Sequence, residues 1–297
     1  MGEQWTVRSL LQWARDWLGN KGVENPRLDA ELLLARALGC DRIRLYVDHD
    51  KPPDPAELQR FKELIRRRAG REPVAYILGA KEFYGRSFAV DSRVFIPRPE
   101  TELLVQAALQ ALDPARGEER DPQTPRPLRA LDLCAGSGAA GVTLAAEREG
   151  LCVDLVELSE GAAEVARANA AAHAPGRCEV HTGDLYGPLP DEARYRAIVS
   201  NPPYVPAGDA GRLAPEIAQH EPALALFGGQ DGLDVIRRIV AGAPRRLLPG
   251  GILLMEIDPP EAPAVVRLCE EAGLLSPRVQ RDLAGLDRIV SASASEV

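Results

Sequence analysis

Hydrophobic residues recur at helical spacing through the first seventy positions of the chain. Three amphipathic stretches, 7–18, 27–38 and 55–69, are each followed by a glycine, a common helix terminator. The second and third open with Asn25-Pro26 and Asp54-Pro55, in each case a polar cap followed by proline in the first turn. The pattern predicts a small bundle of three or four short helices.

The pattern changes at residues 74–96. The segments VAYILG and SFAV carry β-branched and aromatic residues on either side of Gly85, which predicts a β-hairpin. A turn, IPRPETE, then leads into another helical pattern. Residues 113–127 are rich in proline and charge and have almost nothing to bury, so we expect an exposed loop there.

From Leu128 onward, short apolar runs alternate with helical patterns. The strand-like runs are RALDLCAG, LCVDLVEL, CEVHTGD, YRAIVS and GILLMEI, and the segment PRVQRDLAGLDRIVSAS predicts two closing strands. Such alternation is typical of an α/β fold whose mostly parallel sheet carries helices on both faces. We therefore expect a helical domain at 1–73, a hairpin linker at 74–96 and an α/β domain at 97–297.

Charge is distributed unevenly along the 297 residues. The net charge is −8, with +3 in residues 1–90 and −11 in residues 91–297. An acidic chain is a poor candidate for a simple nucleic-acid binder, and the asymmetry favours two domains. The run Arg66–Arg68 suits the last turn of a helix, with a docking surface for a partner as the alternative.

Five scattered cysteines without a CxxC pair indicate reduced thiols rather than a disulfide framework or a zinc site. No apolar run approaches the roughly 20 residues that span a bilayer. The first residues also lack the basic region and cleavage site of a secretion signal. These features predict a cytoplasmic protein that neither associates with a membrane nor binds a metal.

A glycine loop follows the first strand of the α/β region. Gly136, Gly138 and Gly141 form the pattern GxGxxG, which lets a ligand approach the backbone at a helix N-terminus. Glu157 ends the next strand, where a carboxylate accepts hydrogen bonds from ribose hydroxyls. The motif arises by chance in about one such chain in five and does not choose between NAD and S-adenosylmethionine. Asp132, just before the loop, favours S-adenosylmethionine.

The tetrapeptide Asn201-Pro202-Pro203-Tyr204 directly follows the strand YRAIVS, at the sheet edge that also holds the glycine loop. At this composition it arises by chance in about one chain in two thousand. Asn201 Oδ1 and the Pro202 carbonyl can each accept one N–H of an NH₂ group. Held in this way, the nitrogen directs its lone pair at a sulfonium methyl group. Tyr204 offers a flat face to the planar group that carries the NH₂. A proline-rich turn with a packed tyrosine is the alternative. No general base is needed before methyl transfer, so the histidines are given no role.

These segments resemble the release factor glutamine methyltransferases, the PrmC/HemK family, over nearly the whole chain. The matching segments are PRLDAELLLARALG, REPVAYILGAKEFYG, FIPRPETELLV, LDLCAGSGAAGVTLA, NPPY, HEPALALFGGQDGLDVIRRI and DLAGLDRIV. The resemblance implies a seven-stranded, mostly parallel methyltransferase sheet with a small N-terminal helical bundle joined by a β-hairpin. It also implies transfer of a methyl group from S-adenosylmethionine to the glutamine side-chain amide in the GGQ motif of class I release factors.

The resemblance further implies the site residues. Those expected to bind the cofactor are Asp132, Cys134, Ala135, Gly136, Ser137, Gly138, Glu157, Asp184, Leu185 and Asn201. Those expected to hold the substrate glutamine or to line its pocket are Arg98, Pro99, Asn201, Pro202, Pro203 and Tyr204. The turn Arg98-Pro99-Glu100-Thr101 resembles the family segment that helps to line the pocket near the cofactor. Asn201, Pro202 and Tyr204 are the expected catalytic residues. We expect a monomer with no direct nucleic-acid substrate.

Two features depart from this picture or invite another. Members of the family often carry Glu-x-Gly-x-x-Gln after the fifth strand, whereas this chain has Glu256-Ile257-Asp258-Pro259-Pro260-Glu261, so we assign that loop no shared function. The chain also contains its own Gly228-Gly229-Gln230, which falls in the family's GGxDGL turn and is interpreted as a coincidence.

Two other classes of protein compete with this interpretation. A methyltransferase acting on adenine or guanine in nucleic acid explains NPPY but neither the acidic domain nor the lack of a basic recognition domain. A non-catalytic or NAD-binding Rossmann protein explains the glycine loop but not NPPY.

Overall fold

The computed structural model describes residues 5–113 and 128–296. The chain forms two compact units, Met1–Ala80 with Ala214–His220, and Lys81–Leu213 with Glu221–Val297. The predicted loop at 113–127 lies outside the described residues apart from Asp113. The three-part division at residues 73 and 96 stays a prediction.

The first unit is helical. Its helices are α1 (Val7–Asn20), α2 (Pro26–Leu38), α3 (Arg42–Val47), α4 (Pro55–Ala69), α5 (Val74–Leu78) and α9 (Pro215–His220). The predicted cap at Asp54 is confirmed, since its side chain accepts the Glu57 N–H at 2.7 Å and Glu57 bonds back to the Asp54 N–H. Leu33, Phe61 and Ile65 are buried in one apolar core, which explains the helical spacing of the sequence.

Two arginines of the run at the end of α4 form ion pairs within this unit. Arg68 is buried and pairs with Asp29 at 2.6 Å and with Glu216 at 2.9 Å. Arg67 pairs with Glu72 at 2.6 Å. Ion pairing therefore accounts for two of the three cations.

The predicted hairpin is present but shorter than expected. Its strands are β1 (Ala80–Phe83) and β2 (Arg86–Ala89), with Phe83 and Phe88 packed edge to face. The prediction that VAYILG is a strand was wrong, because 74–78 forms α5. Ile77 packs into the helical core and Gly79, at φ 74°, ends the helix. Burial of three successive side chains in the bundle outweighs their β propensity.

The second unit is built on a seven-stranded sheet. Its strands are β3 (Leu128–Leu133), β4 (Leu151–Glu157), β5 (Cys178–Thr182), β6 (Tyr195–Ser200), β7 (Leu247–Glu256), β8 (Leu275–Arg281) and β9 (Asp287–Ser293). The strand order is β5-β4-β3-β6-β7-β9-β8, and β9 is antiparallel to both neighbours. The predicted seven-stranded, mostly parallel sheet is confirmed.

Helices cover both faces of this sheet. They are α6 (Thr101–Ala111), α7 (Ala139–Glu147), α8 (Glu160–His173), α10 (Asp234–Arg246) and α11 (Ala262–Glu271). Residues of α6, α7 and α8 share one apolar core, and residues of α10 and α11 share the other. The order of the strands reverses between the parallel neighbours β3 and β6, and ligands bind at such a switch point, outside the carboxyl ends of the strands.

Across the described ranges, no helix combines the length and the apolar character needed to cross a membrane. All five cysteines are free thiols.

Candidate active site

A cavity of about 260 Å³ lies at the carboxyl ends of β3 to β6. The predicted site residues that line it are Asp132, Cys134, Ala135, Gly136, Ser137, Glu157, Asp184, Leu185, Asn201, Pro202, Pro203 and Tyr204. The structure thus brings together the two motifs, which are more than sixty positions apart in the sequence. Gly138, Arg98 and Pro99 are outside the lining.

The glycine loop turns sharply between β3 and α7. Cys134, Gly136 and Gly138 have positive φ angles of 59°, 56° and 79°, and Gly138 caps α7. Gly141 donates its N–H to Asp132 Oδ2 at 2.8 Å. A Cβ on Gly141 would lie 2.8 Å from the same oxygen, so this position must be glycine for α7 to approach β3.

Glu157, at the end of β4, holds the glycine loop from the side. Its Oε2 accepts the Gly136 N–H at 2.8 Å, and its Oε1 accepts the Ser159 N–H at 2.9 Å. Both oxygens of this half-buried carboxylate therefore meet backbone donors at the rim of the cavity. The contact fixes the loop relative to β4.

The interior of the loop favours uncharged groups. Burial, together with the nearby charge of Glu157, raises the pKa of Asp132 to about 7, although the hydrogen bond from Gly141 lowers it. Burial also raises the pKa of the Cys134 thiol to about 12. Cys134 is therefore a neutral thiol and not a nucleophile at neutral pH.

Asp184 and Leu185 follow β5 at the same edge. Leu185 is buried with a left-handed backbone, φ 47°. Asp184 is exposed and its carboxylate pairs with Arg238 of α10 at 2.6 Å. Leu185 and Asp184 thus present an apolar and a charged side chain to the same end of the cavity.

The NPPY segment begins where β6 ends. Asn201 Nδ2 donates to Thr101 Oγ1 at 3.1 Å, and Pro202 and Pro203 are buried. Tyr204 is half-buried, and burial raises the pKa of its hydroxyl. The phenol is therefore uncharged at neutral pH.

The turn at residues 228–232 packs directly against this segment. An ideal Cβ on Gly228 would lie 2.5 Å from the Pro203 carbonyl oxygen, and one on Gly232 would lie 2.3 Å from that of Tyr204. Gln230 is exposed and does not line the cavity. Close backbone approach thus supplies a structural reason for Gly228, the first glycine of the chain's own GGQ sequence, while a Cβ on Gly229, at φ 93°, would lie 1.9 Å from Asp234 Oδ2.

Arg98 and Pro99 lie beside the cavity rather than on its wall. Arg98 pairs with the buried carboxylate of Glu221, and its guanidinium lies 4.6 Å from the centre of the Phe95 ring. Glu221 also accepts the Ile96 N–H at 3.3 Å. Phe95, not Arg98, reaches the cavity, so substrate binding by Arg98 and Pro99 stays a prediction.

The sequence assigned no individual role to three polar residues around the site. Asn169 of α8 is buried, accepts the Ala89 N–H at 2.8 Å and donates to the Ser137 carbonyl at 2.8 Å, which joins the hairpin to the glycine loop. Thr101 and Glu256 lie next to Asn201, and Thr101, the last residue of the predicted pocket-lining turn, does line the cavity. The sequence signal for their individual roles was weak, since they stand only at the start of a helix and the end of a strand.

A separate group of possible metal ligands, Asp154, Glu179 and His181, lies outside the cavity lining. Its buried member, Asp154, accepts hydrogen bonds from Arg129 at 2.6 Å and from the Tyr195 hydroxyl at 2.7 Å. These contacts satisfy the carboxylate without an ion.

Two family models match the sequence. Residues 9–79 match the PrmC N-terminal domain, and residues 121–223 match the methyltransferase small domain. In structure the chain is similar to the catalytic domain of hMettl16, with a TM-score of 0.56 and 15% identity over 79% of this chain and 82% of that one. A methyltransferase from Pyrococcus furiosus gives a TM-score of 0.51 and 16% identity, with 72% and 92% covered. At these identities the likeness shows the fold alone.

Similar proteins extend over nearly the full chain. Release factor glutamine methyltransferase of Geobacter sulfurreducens is 43% identical over 97% of this chain and 96% of its own. The Mycolicibacterium smegmatis protein of the same name is 40% identical, with 97% of each chain covered. The Cereibacter sphaeroides protein is 41% identical, with 93% and 94% covered. Together with the PrmC N-terminal domain and the methyltransferase fold, these similarities show that the chain belongs to the release factor glutamine methyltransferase family.

Proposed function

We propose that this enzyme transfers the methyl group of S-adenosylmethionine to the side-chain amide nitrogen of the glutamine in the GGQ motif of class I release factors. One observation carries the proposal: Asn201-Pro202-Pro203-Tyr204 lines the same cavity as the glycine loop and Glu157. An acceptor for an NH₂ group and a nucleoside-type site therefore share one space. The names of the full-length relatives supply the substrate.

The charge of the cavity supports S-adenosylmethionine over NAD. Glu157 lines the cavity, and its carboxylate accepts hydrogen bonds from backbone N–H groups. The Gly136 N–H, which in a dinucleotide site faces the pyrophosphate, is taken by this carboxylate. A carboxylate at this position repels a pyrophosphate and attracts a cationic sulfonium compound.

The residues of the chain orient the substrate amide. The cofactor supplies an electrophilic methyl group on a positively charged sulfur. Asn201 Oδ1 and the Pro202 carbonyl accept the two N–H groups of the glutamine, so that its lone pair is directed into the cavity. Proline gives its carbonyl a fixed direction, and Tyr204 packs on the planar amide. The nitrogen becomes acidic after methylation and releases its proton to solvent, so no base is required first.

A nucleic-acid substrate is the second candidate, because NPPY also suits an exocyclic amine. The cavity belongs to the part of the chain that carries the −11 charge, and an acidic surface repels phosphates. A protein substrate fits this surface better. We place the reaction in the cytoplasm with the enzyme as a monomer, and no membrane or nucleic-acid partner is part of the proposal.

A transfer assay tests the proposal. The purified protein is incubated with methyl-labelled S-adenosylmethionine and either a class I release factor, the same factor with its GGQ glutamine changed to alanine, or duplex DNA. We expect label only in the unchanged factor. Label that persists in the alanine variant would contradict the glutamine assignment, and label in DNA alone would contradict a protein substrate.

A further inference from the structure

The buried carboxyl group of Glu256 has no role in the reaction described so far. It ends β7, and because Ser200 of β6 lies opposite Met255 in the parallel register, Glu256 lies beside Asn201 where the two strands end. Glu256 is only 1% exposed, and its Oε2 has no hydrogen-bond partner among the described residues. A buried carboxyl oxygen without a partner costs free energy, so its retention beside the NPPY segment needs a reason.

Thr101 connects this carboxyl group to Asn201. It begins α6, is 5% exposed, and accepts the Asn201 Nδ2–H at 3.1 Å. A hydroxyl that accepts one hydrogen bond can still donate its own proton to a neighbouring acceptor. The Thr101 and Asn201 side chains both lower the pKa of Glu256, against the larger effect of burial, which places them beside its carboxyl group.

We propose that Thr101 and Glu256 are positioning residues, which turn the amide of Asn201 so that Nδ2 faces the protein and Oδ1 faces the substrate. The inference rests on the proposed function, since it explains how the acceptor Asn201 is oriented. Thr101 Oγ1 accepts the Asn201 Nδ2–H, and Glu256 supplies further acceptor oxygens beside it, so an NH₂ group is favoured on this side over a carbonyl oxygen. The two ends of the asparagine amide are thereby distinguished by their hydrogen-bonding partners.

The orientation matters because the two faces of an amide have opposite hydrogen-bonding character. With Oδ1 toward the cavity, Asn201 accepts an N–H of the glutamine. With the amide turned by 180°, Nδ2 would meet the substrate NH₂ donor to donor, and the nucleophile would no longer be held. Loss of the positioning groups should therefore lower turnover without removing contacts to the cofactor.

A matched pair of substitutions at Thr101 tests this. Thr101→Val removes the hydroxyl and keeps the shape, whereas Thr101→Ser keeps the hydroxyl. Turnover of release factor, KM for the factor, the Kd of S-adenosylmethionine and Tm are measured for each. We expect Thr101→Val to lower kcat about 10- to 100-fold with KM and Kd within about twofold, and Thr101→Ser to stay within about threefold of wild type. Equal kcat values for the two variants would overturn the inference.

Glu256→Gln provides a second test that does not depend on Thr101→Val folding. The substitution keeps the size of the side chain but adds a donor, so the Asn201 amide loses its preferred orientation. We expect kcat to fall about tenfold or more while the cofactor Kd is unchanged. The kcat of the double variant with Thr101→Val should lie no more than about threefold below that of the more impaired single variant. Effects that multiply would overturn the inference.

The outcome also separates the inference from the proposed function. A wild-type enzyme that leaves the GGQ glutamine unmethylated would overturn both. A wild-type enzyme that methylates it, with Thr101→Val and Glu256→Gln equally active, would overturn the positioning role alone.

Discussion

The amide of Asn201 has two ends with different partners, one within the protein and one in the substrate. Asn201→Ala removes the substrate's acceptor and should lower kcat at least about 100-fold, while the Kd of S-adenosylmethionine rises only modestly. Steady-state kinetics and calorimetric titration measure the two quantities. Asn25→Ala is the control, because Asn25 makes no side-chain capping bond. Activity within about tenfold of wild type would refute the orientation mechanism.

Glu157 should act on cofactor binding instead of turnover. Its two oxygens hold the Gly136 and Ser159 N–H groups, so Glu157→Ala both loosens the loop and removes the proposed acceptor for ribose hydroxyls. We expect the cofactor Kd to rise about 10- to 100-fold, measured by titration calorimetry. Glu160→Ala is the matched control, because this residue pairs on the surface with Arg167. Equal Kd values for the two variants would contradict the role of Glu157.

The residues of the cavity could be predicted where a motif is contiguous, whereas side-chain partners that come from distant elements could not. Asn201 and Glu157 stand at strand ends that the alternating pattern already predicts. Thr101 and Glu256 meet Asn201 only because β6 and β7 run in parallel register and α6 begins beside them, which no local pattern encodes. Because the Glu256–Glu261 loop departs from the family pattern, the resemblance assigns Glu256 no role.

At the scale of elements, the glycines of the turn at 228–232 allow its backbone to pack directly against the backbone of the NPPY segment. A Cβ on Gly232, at φ 84°, would lie 2.3 Å from the Tyr204 carbonyl oxygen and 2.6 Å from Glu261 Oε1. We expect Gly232→Ala to destabilise the protein by roughly 2 kcal/mol or more and to lower turnover, since the NPPY backbone must shift. Thermal unfolding and the methylation assay check this.

Gly208→Ala is the control for that prediction, because its Cβ would meet nothing within 4 Å. It should leave both Tm and activity close to wild type. If Gly232→Ala were as stable and active as Gly208→Ala, the close packing of the turn against the NPPY segment would not be needed.

Elements with a clear hydrophobic period in the sequence were predicted, whereas the short buried helix α5 was not. The alternation after Leu128 gave a sheet of the expected kind, and Asp54 capped its helix as expected. VAYIL reads as a strand by composition, yet its side chains enter the helical core and it forms α5. A five-residue apolar run has too little length for its period to distinguish helix from strand.

At the scale of the whole molecule, the acidic second unit contains carboxyl groups that are buried as well as exposed. Burial raises the pKa of Asp132, Glu256 and Glu261 to about 7 in each case. Between their ordinary values near 4 and about 7, the folded state therefore binds more protons than the unfolded state. The free energy of unfolding must fall as the pH rises through this window. We expect Tm to decrease from pH 5 to pH 8.

Glu261 offers the cleanest test, because it lies outside the cavity lining. Its Oε2 accepts the Asp258 N–H at 3.2 Å, and its Oε1 has no partner within the described part of the chain. Glu261→Gln resembles the neutral acid and cannot ionise, so its Tm should match wild type at pH 5 and exceed it by roughly 3–6 °C at pH 8. Scanning calorimetry at both pH values measures the difference. Ionisation of the buried carboxyl group is the one difference between wild type and variant that depends on pH. A difference in Tm that is equal at the two pH values would therefore show that Glu261 does not ionise in this window.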